Sequence, residues 1–81
     1  MNVQVRLFAA ARQAAGQDSV TVQLPEGATI GDLRGQLELH FPQLSALLRQ
    51  AAFAVDAEYS ADTQKIPPRG DVACIPPVSG G

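Results

Sequence analysis

The chain has 81 residues, of which 46% are hydrophobic and 17% charged. This composition predicts one small globular domain rather than a disordered segment. A net charge of −2 with only three Phe and one Tyr excludes a basic or base-stacking nucleic-acid surface. The single cysteine, Cys74, excludes a disulfide framework and an iron–sulfur cluster. No apolar run approaches the roughly 20 residues of a membrane-spanning helix, and no signal-peptide pattern is present, so we expect a cytoplasmic protein.

The N-terminal third predicts two strands around a short helix. Residues from Asn2 to Phe8 alternate, with the odd-numbered positions apolar from Val3 to Leu7, which is typical of a strand with one buried face. The alanine-rich stretch that follows predicts a short helix, which Gly16 ends in a left-handed conformation. Ser19 to Leu24 alternates again. We therefore expect the two strands to pair antiparallel as a wide hairpin.

The main helix is predicted over residues 29–41. Four apolar residues recur there at helical spacing, and a proline follows. Thr29 with Asp32 three positions later resembles a capping box. Gly31 and Gly35 weaken the helix, so we expect them to allow its close approach to the sheet.

The C-terminal half predicts short elements of both kinds: a helical turn at residues 44–48, strands at residues 52–56 and 71–75, a weaker edge strand within residues 58–64, and a turn at residues 67–70. One helix covers one face of a sheet. The pattern thus predicts an α+β fold of the ubiquitin-like β-grasp type, with a mixed sheet of four to five strands. Its first and last strands are expected as parallel neighbours in the middle. Residues 1–77 form the domain and residues 78–81 a flexible tail.

The ending Ile75-Pro-Pro-Val-Ser-Gly-Gly81 indicates the chemistry. Pro76 and Pro77 favour an extended conformation that directs the chain away from the domain. Gly80 and Gly81 lack a Cβ atom and are suited to threading a narrow channel. We therefore expect the Gly81 carboxylate to enter the active site of another protein. Adenylation by ATP would activate it for attack by sulfur.

The catalytic side chains for such a reaction are expected on partner proteins. The sequence contains no phosphate-binding loop, no zinc-protease motif, no clustered Cys/His set that could hold a metal, and no serine nucleophile motif. The chain is therefore predicted to have no side-chain active site of its own.

The sequence resembles the small-subunit family of molybdopterin synthase, the sulfur carriers of molybdenum-cofactor biosynthesis. Three segments show the likeness: VRLFAAARQAAG within residues 2–16, residues 52–56, and GDVACIPPVSGG at residues 70–81. Two positions depart from the family pattern. Asp56 stands where the family commonly has Asn, and Gly70-Asp71-Val72 is one residue shorter than the usual Gly-Asp-Glu-Val.

The resemblance implies a reaction cycle. A ubiquitin-activating-like adenylyltransferase would use ATP to form a glycyl adenylate at Gly81, and a persulfide sulfur donor would convert it to a thiocarboxylate. The tail residues Val78, Ser79 and Gly80 would thread into the large catalytic subunit, which transfers sulfur to cyclic pyranopterin monophosphate. The family complex is a heterotetramer of two small and two large subunits, and the small subunit has no permanently bound cofactor.

A docking patch follows from the predicted sheet. If the first and last strands are parallel neighbours, Phe8 on the outer face lies near Ile75 and Pro76 at the start of the tail. An exposed aromatic beside Ile75, Pro76 and Pro77 is then a candidate surface for the large subunit.

Several alternatives stay open. Gly80-Gly81 is alternatively an idle end, and Cys74 a persulfide acceptor instead of a small buried side chain. Phe8 is alternatively a residue at the periphery of the core instead of a partner contact. The same tail chemistry would also serve a carrier for the thiamine thiazole or for tRNA thiolation, or a ubiquitin-like modifier attached to lysines.

Overall fold

The computed structural model describes residues 1–77 and confirms the α+β prediction. Five strands form one sheet in the order β2-β1-β5-β3-β4. Three helices and a 3-10 turn connect them. The elements are β1 Asn2–Leu7, α1 Ala9–Ala15, β2 Ser19–Gln23, α2 Ile30–His40, the turn Pro42–Leu44, α3 Ser45–Gln50, β3 Ala52–Val55, β4 Glu58–Ser60 and β5 Val72–Ile75.

The centre of the sheet is a parallel pair. β1 and β5 lie side by side with Val5 opposite Val72 and Leu7 opposite Cys74. β2 pairs antiparallel with β1, and β3 pairs antiparallel with β5. The predicted parallel neighbours are therefore confirmed. Because the pair is parallel, both strands end at the same edge of the sheet.

The core lies between the sheet and the helices. The odd-numbered residues of β1 are buried and the even-numbered ones exposed, as the alternation predicted. From the helical side, Ile30, Leu33 and Leu37 are fully buried, each contributing roughly 1.5–3 kcal/mol relative to an exposed side chain. The domain is therefore held by one thin apolar layer on one face of the sheet.

The start of α2 is fixed by the predicted capping box. The Asp32 N–H donates to the Thr29 hydroxyl at 3.2 Å, and the Thr29 N–H donates to the Asp32 carboxylate at 2.9 Å. Asp thus replaces the usual Glu without loss of either bond. Both amide groups would otherwise have no partner at the helix end.

The expectation for the helical glycines was wrong. A Cβ atom on Gly31 would lie 3.3 Å from the Asp62 carbonyl, in the loop after β4, and one on Gly35 would meet nothing within 4 Å. Gly31 therefore allows close approach of that loop, whose Asp62 carbonyl accepts the Gly31 N–H at 2.9 Å. Gly35 faces open space instead of the sheet.

Arg34 joins parts of the fold that are distant in sequence. Its guanidinium donates to the Asp62 carboxylate and the Ala51 carbonyl, both at 2.8 Å, and to the Leu48 carbonyl. It also lies 4.9 Å from the centroid of the Phe53 ring. The carbonyl groups at the end of α3 are thereby satisfied by a cation, as helix C-termini favour.

The β3–β4 connection is a two-residue turn with both residues left-handed, Asp56 at φ 51° and Ala57 at φ 69°. Such a pair is typical of a type I′ hairpin, in which Asn-Gly is preferred. Asp56 is held by Asp71, whose N–H donates to the Asp56 carboxylate at 2.9 Å. The departure from Asn at position 56 therefore preserves the turn.

We expect Ala57→Gly to stabilise the domain by about 1 kcal/mol, because alanine is disfavoured in the left-handed region and glycine is not. Urea unfolding measures the change. The matched control is Ala52→Gly, at the one exposed position of β3. This variant should lose roughly 0.5–1 kcal/mol of unfolding free energy. Loss of stability in both variants would show that the turn is not strained.

Candidate functional site

The tail leaves the domain from the middle of the sheet. β5 ends at Ile75 beside the end of β1, and Pro76 and Pro77 follow directly. Ile75 is half-buried, Pro76 is buried and Pro77 is exposed. The predicted tail positions Val78, Ser79, Gly80 and Gly81 lie outside the described residues, so their roles stay predictions.

Phe8 lies outside the core. Its side chain is 41% exposed, and the Arg6 guanidinium on the outer face of β1 lies 5.6 Å from its ring centroid. Leu7 is opposite Cys74 in the parallel pair of β1 and β5. The next residues along the two strands, Phe8 and Ile75, therefore lie level with each other. Ala9, which follows it, has φ 51°, so a strained turn fixes the direction in which the chain leaves β1.

A larger apolar surface continues from Phe8 across the outer face of the sheet. Ala54 and Ala73 are directly paired, and each is 6% exposed. Their neighbours Phe53 and Cys74 lie in the core. Since successive side chains of a strand point to opposite faces, Ala54 and Ala73 point away from the core. Tyr59, opposite Ala54, is 74% exposed. We call this surface the apolar face; it consists of Phe8, Ala52, Ala54, Tyr59, Ala73 and Ile75.

Sequence reasoning named Phe8 and Ile75 but missed Ala52, Ala54, Tyr59 and Ala73 of the apolar face, although a signal was present. Residues 52–55 and 72–75 are apolar at every position, and a strand without alternation has two apolar faces. The two short alanine side chains leave a shallow floor between Tyr59 and Phe8. Exposed surface of this kind is typical of a docking site.

The other half of the outer face is polar. The Arg6 guanidinium donates to both oxygens of Asp71, at 2.7 and 3.0 Å, and the Gln4 amide donates to the Ser19 hydroxyl at 3.2 Å. A cavity of about 330 Å³ lies among these side chains. Since their polar groups are already paired, they border the apolar face and do not form a reactive centre.

Within residues 1–77 there is no group of three or more His, Cys, Asp or Glu side chains placed to hold a metal ion. In the same part of the chain, no helix has the length and apolar character needed to cross a bilayer.

Comparison with known proteins identifies the family. The ThiS family model matches residues 5–81. The chain belongs to the ThiS family. It is also 35% identical to the molybdopterin synthase sulfur carrier subunit of Arabidopsis thaliana, over 100% of this chain and 84% of that protein. The human protein of the same name is 32% identical, over 98% of this chain and 93% of its own length.

Solved structures support the fold. SAMP1 from Haloferax volcanii, a small archaeal modifier protein, has a TM-score of 0.86 at 27% identity over 100% of both chains. A complex of subunits 1 and 2 of the molybdopterin-converting factor from Helicobacter pylori contains a chain with a TM-score of 0.70 at 21% identity, again over 100% of both. The latter shows the fold alone. The ubiquitin-like β-grasp assignment is thus confirmed.

Cys74 of this ThiS-family chain lies in the core. It is 0% exposed, and burial raises the pKa of its thiol from 9.0 to about 11, although nearby Arg34 lowers the pKa in part. A buried, protonated thiol is a poor nucleophile. This placement favours packing over the alternative of a persulfide acceptor.

We expect Cys74 to make the unfolding free energy fall between pH 9 and 11. Below pH 9 the thiol is protonated in both states, whereas above it the unfolded chain releases the proton first. In this range the unfolding free energy falls by about 1.4 kcal/mol per pH unit. Urea unfolding of the parent and of Cys74→Ala at pH 8, 9 and 10 gives the unfolding free energy of each against pH. The difference between the two slopes is the contribution of the Cys74 thiol. Equal slopes would show that the folded thiol titrates normally.

Proposed function

We propose that this chain is the sulfur carrier and small, non-catalytic subunit of a molybdopterin synthase. The observation that carries the proposal is the identity of 35% and 32% over nearly the whole chain to plant and human proteins of that name. The fold supports it, because the chain passes from the middle of the sheet through two prolines into Val78-Ser-Gly-Gly81.

The proposed chemistry takes place at the Gly81 carboxylate. In an adenylyltransferase, a carboxylate oxygen attacks the α-phosphorus of ATP, and pyrophosphate leaves. The terminal sulfur of a persulfide donor attacks the acyl carbon, and AMP leaves. A thiol then cleaves the sulfur–sulfur bond, which releases the thiocarboxylate. ATP is thus a substrate of the partner, and this chain needs no resident cofactor.

The proposed acceptor is cyclic pyranopterin monophosphate in the large catalytic subunit. One carrier delivers one sulfur and a dithiolene needs two, which fits a heterotetramer of two small and two large subunits. We place these steps in the cytoplasm, where ATP is available and Cys74 stays reduced.

The apolar face is the proposed surface for the large subunit. Phe8, Ile75 and Pro77 connect it directly with the tail, whereas Pro76 is buried and offers little surface of its own. Ala54 and Ala73 are each only 6% exposed, so Tyr59, Phe8 and the half-buried Ile75 offer most of the contact area of the apolar face. An apolar surface with exposed aromatics at its margin has the composition of an interface core.

A ubiquitin-like protein modifier is the second candidate, because the archaeal modifier SAMP1 has a TM-score of 0.86 with this chain. Both functions need an activated C-terminal glycine, so the fold does not separate them. Lysine conjugates that form in a cell extract supplied with ATP would favour the modifier. A carrier for the thiamine thiazole or for tRNA would instead fail to restore product with the large subunit.

We expect the protein isolated from cells that contain its activating enzyme to be about 16 Da heavier than the unmodified chain, since sulfur replaces one oxygen at Gly81. Intact-mass spectrometry measures this. Deleting Gly81 should abolish product formation and leave the urea midpoint unchanged, because the last residues of a domain usually add little to its stability. Normal sulfur delivery by the shortened chain would refute the proposal.

We expect Phe8→Ala and Tyr59→Ala each to weaken binding to the large subunit about tenfold or more, because aromatic side chains that become buried in an interface carry much of its energy. Titration calorimetry measures the affinity. Leu39→Ala is the matched control, since Leu39 is 71% exposed on a helix behind the sheet. Equal affinities for all three variants and the parent would exclude the apolar face.

A further inference from the structure

The two edges of the sheet differ in how they are protected. β4 is three residues long and begins with Glu58, whereas β2 is five residues long, Ser19–Gln23, and contains neither a charged residue nor a proline. Proteins usually blunt exposed edges with short strands, charges or proline. The β2 edge has none of these devices.

The backbone hydrogen bonds show which groups this edge presents. The Leu24 N–H donates to the Met1 carbonyl at 2.9 Å, and the Leu7 N–H donates to the Asp18 carbonyl at 2.8 Å. Bonding alternates along an antiparallel pair, so positions 18, 20, 22 and 24 face β1. The N–H and C=O groups of Ser19, Thr21 and Gln23 therefore point outward, and within residues 1–77 no strand pairs with them.

A groove runs beside this edge, between β2 and α2. It contains one cavity of about 440 Å³, lined by Leu24, Pro25, Gly31, Asp32, Gly35 and Gln36, and a second of about 460 Å³. The second is lined by Thr21, Val22, Gln23, His40 and Phe41. The open space at Gly35 lowers the helical wall of the groove. One turn further along the same face, Leu39 is 71% exposed.

We propose that the β2 edge and this groove bind an extended segment of another protein, which adds to the sheet as a sixth strand. Three outward donor–acceptor pairs recognise its backbone, and the two cavities take alternate side chains, which contact Leu24 and Pro25 in one cavity and Val22 and Phe41 in the other. Acidic residues stand at both ends of the uncharged strand, Asp18 before it and Glu26 and Asp32 beyond it. The segment therefore has an apolar centre with Lys or Arg at each end.

The charges disfavour a second copy of this chain as the occupant. Antiparallel self-pairing centred on Thr21 would set Asp18 of one copy opposite Leu24 of the other, close to Glu26. Arg12 lies 3.8 Å from Asp18, but both side chains are more than half exposed, so the pair offsets little of the repulsion. The positive terminal amino group lies on the other side of β2, because it donates to the Leu24 carbonyl, which faces β1.

The site is independent of the proposed sulfur transfer. The strand β1 separates β2 from the strands β5, β3 and β4, which carry most of the apolar face. A segment on the β2 edge would leave that face and the tail free.

Binding is tested with the synthetic peptide KKVTVIVKK and ¹⁵N-labelled full-length protein. We expect the amide signals of Ser19, Thr21 and Gln23 to shift to low field and their hydrogen exchange to slow about tenfold. Val20 and Val22, already bonded to β1, should change little. The peptide EEVTVIVEE should bind at least about tenfold more weakly, because its charges repel the acidic ends.

Thr21→Pro removes one outward donor at a position where an edge strand tolerates proline, and it should abolish the shifts. Thr21→Val keeps the donor and should bind normally. Preserved signal dispersion checks the fold of both. The proposal is overturned if KKVTVIVKK causes no shifts at millimolar concentration, if the shifts centre on Tyr59 and Ala73, if Thr21→Pro binds equally well, or if the protein alone dimerises through this edge in sedimentation.

Discussion

The parallel pairing of β1 and β5 is the constraint on which the rest of this structure depends. It joins residues about 67 positions apart, as in the pair Val5 and Val72, so it forms only when the whole chain is folded. Since both strands run in the same direction, their ends meet at one edge, where Phe8 and Ile75 are level. The chain therefore leaves the sheet at Ile75, in its most deeply supported part, and Pro76 and Pro77 follow directly.

The two faces of the sheet divide the work of the domain. One face is covered by α2 and supplies the core, including Cys74. The other is half polar, at β1 and β2, and half apolar, at β5, β3 and β4. The apolar half arises because β3 and β5 are apolar at every position, which would be expected if something covers both faces. Within residues 1–77 the chain covers only one, so a partner is the natural cover for the other.

Much of the fold follows from local sequence, whereas the site follows only from register. The sequence predicted three features because each depends only on residues close together in the chain. They are the alternation in β1 and β2, the Thr29–Asp32 capping box and the end of α1 at Gly16. For the apolar face, local sequence shows only that β3 and β5 are apolar at every position, whereas Ala54 and Ala73 become neighbours only once the two strands are paired. The same holds for Arg34, whose partners Ala51 and Asp62 are contributed by separate loops. The expectation that Gly35 packs closely against the sheet was wrong, because a glycine in a helix occurs beside open space as readily as at a close contact.

The position of the tail also limits how strongly any one partner should bind. In the proposed cycle the adenylyltransferase and the large subunit both need the same C-terminal glycine, and the apolar face lies at the start of the tail. Two proteins that enclose this tail therefore exclude each other, and the carrier has to leave one before it enters the next. A shallow floor of two alanines with exposed aromatics at its margin suits that requirement, because short side chains bury little area and so limit affinity. The central strand β5 thus sets where the tail begins, while the modest apolar face would allow each partner of the proposed cycle to release it.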